Sequence, residues 1–285
     1  QNTHGITHGG NGRGAGVLVG RSATDATAGK NTAEFNMYGG AIYNNYPWEA
    51  GGENAASASG VLIGGGTFNM YGGKITGNGL TDEESLGGGV FVANQGSFHM
   101  SGGEISGNHA KEGGGVFVGG YYGKGKDDEA KYGGTFNMTG GEITGNTSGG
   151  GVHVNYYPGA IFKVSGTAKI TDNAVKNVYL SMDTSDGKKT YAPPIEVGTL
   201  DSTASIGVTA ADAGQTVAKG VSEAAAKRFN SDSSKYRLIY DSGERTLTMA
   251  TAAHSAHPIC GDVNCSEHGE SFSDWQGGSK LSDIS

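Results

Sequence analysis

The stretch "GGTFNMYGGKITGNG", residues 65–79, returns with its apolar letters in place as "GSFHMSGGEISGN" at 96–108 and "GGTFNMTGGEITGN" at 133–146. One such glycine-rich unit cannot hide its Phe, Met and Ile alone, but stacked copies build a continuous core, so the recurrence points to a repeat architecture. Aligning the apolar letters gives three strand-like runs per repeat. The first carries Val17 and Val19, Val61 and Ile63, Val90 and Val92, Val116 and Val118, and Val152 and Val154. The second alternates Phe35 with Met37, Phe68 with Met70, Phe98 with Met100, Phe136 with Met138 and Phe162 with Val164. The third holds one isoleucine: Ile42, Ile75, Ile105, Ile143 or Ile170. Alternation with period two puts each set on the inner face of a strand. Three strands per repeat predict a three-sided coil.

The corner between the second and third runs has constant length in four repeats and holds a Gly-Gly pair, as at Gly72-Gly73 and Gly102-Gly103, suited to a bend that needs positive φ. An asparagine follows the third run at Asn45, Asn78, Asn108, Asn146 and Asn173, where stacked amides form a ladder. The predicted fold is all-β: a right-handed parallel β-helix of three strands per coil and about six coils over residues 1–208. "NVYL" at 177–180, "IEV" at 195–197 and "ASIGV" at 204–208 read as its last, irregular coil. Residues 209–250 read as a small C-terminal cap, with a helix over "SEAAAKRF" (222–229) and a hairpin in "YRLIYDSGERTLTMA" turning at Asp241-Ser242-Gly243. Residues 251–285 read as a connector.

The 285 residues include 54 glycines but no collagen period, and their formal charge of −8, with scattered lysines and arginines, argues against a nucleic-acid partner. No apolar run is long enough for a membrane-spanning helix. The chain reads as a piece of a longer protein.

Insertions fall at two corners, both flanking the face of the first run. The outward column of that face is Leu18, Leu62, Phe91, Phe117 and His153, and the loops beside it bring Trp48, Tyr121, Tyr122, Tyr156 and Tyr157. Loop walls around an aromatic floor make a groove for a glycan or a protein segment. The alternative is that the loops fold over the column and cover it. The second face, with Asn36, Asn69, His99, Asn137 and Lys163 beside Tyr38, Tyr71, Ser101, Thr139 and Ser165, reads as a solvated polar surface. On the third, Glu104 and Glu142 have the spacing of a glycosidase pair, but flanked by Lys74 and Lys169 they read as a charge ladder. No cluster of carboxylates with an adjacent base marks a polysaccharide lyase, and no catalytic residue is assigned.

In the tail, "HPICGDVNCSEH" spaces His257, Cys260, Cys265 and His268 as H-x2-C-x4-C-x2-H, a full tetrahedral set for a structural zinc. The alternative is a Cys260–Cys265 disulfide.

The units "GGGVFV" and "GTFNMTGGEITGN" together with the tail "HPICGDVNCSEHGESFSDW" resemble the right-handed β-helix repeats of large cell-surface proteins of Gram-positive gut bacteria. The resemblance covers residues 14–275. It implies a secreted or wall-anchored, adhesin-like module that works beside neighbouring modules of its own chain and holds glycans or host proteins. A carbohydrate-active enzyme, with Asp82, Glu83, Asp127 or Glu129 folding onto the Phe91 and Phe117 column, and a purely structural spacer are the competing readings.

Overall fold

The computed structural model describes residues 16–20, 32–46, 59–79, 85–119, 133–156 and 159–252. Numbered along the chain, the first runs form β1 (Val17–Gly20), β4 (Val61–Gly64), β7 (Val90–Ala93), β10 (Val116–Val118), β13 (Val152–Val154) and β16 (Val178–Leu180). The second runs form β2 (Glu34–Met37), β5 (Thr67–Met70), β8 (Ser97–Met100), β11 (Thr135–Met138), β14 (Ile161–Gly166) and β19 (Ile195–Leu200). The third runs form β3 (Ala41–Tyr43), β6 (Lys74–Thr76), β9 (Glu104–Ser106), β12 (Glu142–Thr144), β15 (Lys169–Ile170) and β20 (Ser205–Ala210). Within the repeats each strand pairs in parallel with its counterpart three strands on. The architecture is that of a parallel β-solenoid.

Register follows the repeat. Phe35, Phe68, Phe98, Phe136 and Phe162 lie opposite one another, as do Ile42, Ile75, Ile105, Ile143 and Ile170. Strand separation in a sheet is close to the thickness of an offset ring stack. Accordingly Phe68, Phe98, Phe136 and Phe162 stack with centroids 5.2, 4.8 and 4.9 Å apart and ring planes within 10°. With the inward Val, Met and Ile they form one long core. Each buried Phe contributes about 2–3 kcal/mol.

The corners behave as their residues require. Gly40, Gly73, Gly103 and Gly141, the second glycine of each pair, have φ of +81 to +89°. A Cβ on Gly103 would meet Met70 Cε at 2.6 Å and the Gly73 carbonyl at 2.7 Å. The asparagines form the ladder: the amide nitrogens of Asn45, Asn78, Asn108 and Asn146 each donate to Oδ1 of the next, at 2.8–2.9 Å. That Oδ1 also accepts the backbone N–H of the preceding asparagine. Sequence reading missed the ladder's last rungs, Asn173 to Asn177 and Asn177 to Asp232.

Beyond β16 the pattern loosens. β17 (Met182–Asp183) and β18 (Thr190–Tyr191) form a small antiparallel pair. The long strand β20 pairs with both β15 and β16 and so joins the first and third columns into one 13-stranded sheet. β21 (Thr216–Lys219) continues the second column to β24 (Thr246–Thr251) and β23 (Tyr236–Asp241), the expected hairpin. The helix is shorter than the sequence suggests. α1 spans Glu223–Ala226, with Ser222 accepting the Ala225 N–H at its N-terminus. Phe229 leaves the helical path to pair with Ile206 at the start of β22 (Phe229–Ser231), where burial of its ring outweighs two further residues of helix propensity. The described residues up to Thr251 belong to one compact unit.

Candidate functional site

The first face differs from the open floor expected of it. Leu62, Phe91, Phe117, His153 and Tyr179 do align across β4, β7, β10, β13 and β16. Yet Phe91 and Phe117 are 0% exposed, and with Leu62, Leu86 and Ala93 they make a second core outside the solenoid. Leu86 bridges to Glu112 over this face, and the Phe91 and Phe117 rings meet edge to face at 5.0 Å. Water contact with such a column is costly, and Leu86, just before β7, packs within the cluster that avoids it. Phe91 and Phe117 therefore fit the covered alternative for this column rather than the open floor.

His153 continues this column at 5% exposure, its ring 5.0 Å from Phe117 and 5.1 Å from Tyr179. Burial, reinforced by the Lys176 charge, pushes its pKa down to about 3. Although Nε2 lies 3.7 Å from a Glu112 carboxylate oxygen, the ring is thus neutral near pH 7, and Nε2 makes no hydrogen bond. The Lys176 ammonium sits 3.4 Å from the centre of the Tyr179 ring, a cation–π contact. Burial lowers the Lys176 pKa, opposed by Glu112; burial and Glu112 both raise that of Tyr179. Tyr156 is half-buried. Trp48, Tyr121, Tyr122 and Tyr157, the loop carboxylates Asp82, Glu83, Asp127 and Glu129, and the tail residues His257, Cys260, Cys265 and His268 lie outside the described residues.

On the third face Glu104 is engaged by Lys74 at 2.7 Å and by the Ser106 hydroxyl at 2.6 Å. These two bonds hold its carboxyl below the usual range. A glycosidase acid needs the opposite shift. Glu142 lies between Glu104 and Lys169 in register, as a charge ladder requires.

Among the described residues, the most accessible aromatic surface lies on the second face. Tyr38 and Tyr71, immediately after β2 and β5, stack with centroids 4.8 Å apart and planes 11° from parallel, and are 75% and 49% exposed. Beside them the Asn69 amide donates to Asn36 Oδ1 and to Glu34 Oε1, both at 2.9 Å, and Asn36 donates to the same carboxylate at 3.1 Å. This orders two amides and a carboxylate along a flat sheet next to a pair of rings. Such groups engage a polyol: hydroxyls on the amides and carboxylate, C–H faces on the rings. The signal was in the sequence as aligned tyrosines, but nothing there separated them from a plain solvated face.

Comparison with protein-family models, with curated proteins and with solved structures finds no match. Among the described residues no helix is long and apolar enough to cross a membrane. Nor, among them, do three or more His, Cys, Asp or Glu side chains gather as a metal site.

Proposed function

We propose that the chain is a non-catalytic cell-surface module of an adhesin-like bacterial protein, secreted or wall-anchored, which binds a glycan on the open second face of its solenoid. In this reading the solenoid is a right-handed β-helix of about six coils, closed at its C-terminal end by residues 209–250. The stacked, exposed Tyr38–Tyr71 pair beside the Glu34–Asn36–Asn69 network carries the proposal. Preordered amides and rings lose little side-chain freedom on binding, which favours a repetitive ligand held by many weak contacts. The tail residues His257, Cys260, Cys265 and His268 form a structural zinc clip in the same proposal, or Cys260 and Cys265 a disulfide; intact mass with and without chelator and reductant distinguishes these.

The test is a glycan and mucin array with the purified chain, its Y38A/Y71A variant, and a check for cleavage products. Binding lost in the variant, without cleavage, supports the proposal. Binding that survives Y38A/Y71A overturns the assigned face, release of cleavage products points to a carbohydrate-active enzyme, and capture of host protein instead of glycan changes the ligand class. No binding at all leaves the spacer reading, which the unbroken asparagine ladder and Phe stack support mechanically.

A further inference from the structure

Strand β23 ends the nine-stranded sheet. It pairs antiparallel with β24 on one side, from Tyr236 opposite Thr251 to Asp241 opposite Thr246, and among the described residues no strand pairs with its other side. Six residues of edge without proline, glycine or lysine leave main-chain donors and acceptors open to a further strand. One face of this strand, Arg237, Ile239 and Asp241, is exposed, Ile239 to 44%. The other carries half-buried Leu238 and Tyr240 along an open cleft of about 700 Å³ whose lining includes Ala226, Phe229 and Leu247.

We infer that β23 pairs antiparallel with β23 of a second copy about a twofold axis at Ile239. A twofold normal to the sheet keeps each face on its own side, so only registers centred on a residue are allowed. Centred on Ile239, Arg237 of each copy lies opposite Asp241 of the other, Leu238 lies opposite Tyr240, and Ile239 faces itself. Two ion pairs then flank a central apolar contact on the outer face, while Leu238 and Tyr240 meet over the cleft. Centred on Leu238, Arg237 would face Ile239; centred on Tyr240, Asp241 would. The charge pattern thus selects one self-complementary register. Asp241 Oδ1 accepts the N–H groups of Gly243 and Glu244 at 2.8 and 3.0 Å, which holds the carboxylate in place at the strand end.

Sedimentation velocity of the full chain across the micromolar range tests the association, and cysteine cross-linking tests its register. The expected result is a concentration-dependent dimer, weakened about tenfold or more by R237D, which sets like charges opposite each other twice, and less by R237Q, which only removes the charge. D241N keeps an oxygen for the turn while removing the charge, and weakens the dimer without loss of fold by circular dichroism. In a C260S/C265S background, oxidised I239C cross-links to a covalent dimer and L238C does not, because only Ile239 faces its own copy. A chain monomeric at every concentration, a dimer indifferent to R237D, or cross-linking through L238C rather than I239C would overturn the proposal.

Discussion

Asp232 closes the asparagine ladder through Asn177: one carboxylate oxygen accepts the Asn177 backbone N–H at 2.9 Å and the other its amide nitrogen at 2.7 Å. The Thr209 hydroxyl adds a third bond at 2.9 Å. Every rung above donates in the same direction, and the carboxylate ends the run with two acceptor oxygens and no donor, where an amide would bring one acceptor and an NH2 in need of a partner.

D232A leaves the Asn177 and Thr209 donors without acceptors and is expected to lower stability by about 3 kcal/mol. D232N keeps one acceptor but turns an NH2 toward a donor, and should cost about half as much. Urea denaturation midpoints measure both. Equal, negligible effects would mean that the ladder needs no terminal acceptor.

Gly103 and Gly145 separate backbone strain from crowding. Both have positive φ, +86° and +62°, but a Cβ at Gly145 meets nothing within 4 Å, whereas one at Gly103 strikes Met70 and the Gly73 carbonyl. G145A should therefore cost about 1 kcal/mol, the ordinary left-handed penalty. G103A should cost at least about 2 kcal/mol, as thermal melts of the two variants would show.

The opposite fates of the two aromatic columns predict opposite phenotypes. F117A empties a closed core and should cost about 4 kcal/mol of stability. Y38A removes an exposed ring and should cost less than about 1 kcal/mol, leaving a folded protein fit for binding assays. Comparing melting temperatures of the two variants checks this directly.

His153 predicts a pH dependence whose sign follows from its depressed pKa. The unfolded imidazole takes up a proton near its ordinary value of 6.5, while the folded one resists until about 3. Its contribution to stability is thus present above pH 6.5 and is lost as pH falls toward 3, at about 1.4 kcal/mol per pH unit at the steepest. H153F, which extends the column of Phe91 and Phe117, should flatten this part of the stability profile. Wild type and variant losing stability in parallel over that range would show that His153 is accessible to protons in the folded state.

Local chemistry made the solenoid legible. The inward Val, Phe, Met and Ile columns, the Gly-Gly bends and the asparagine ladder each follow from a period of two, a missing Cβ or a stackable amide, and these recur within a few residues of one another. The hairpin at Asp241 was legible for the same reason. Asp232 was not, because it meets Asn177 across 55 residues and belongs to no repeat. Nor was the concealment of Phe91 and Phe117: an outward-facing residue of a strand is exposed or buried according to what lies over it, and Leu86, which joins that cluster, stands outside the repeat's apolar pattern. Exposure of Tyr38 and Tyr71, and an edge of β23 that no strand among the described residues pairs, are likewise matters of coverage by other segments. Strand identity is local in sequence, whereas coverage is a contest among distant segments for the same apolar surface.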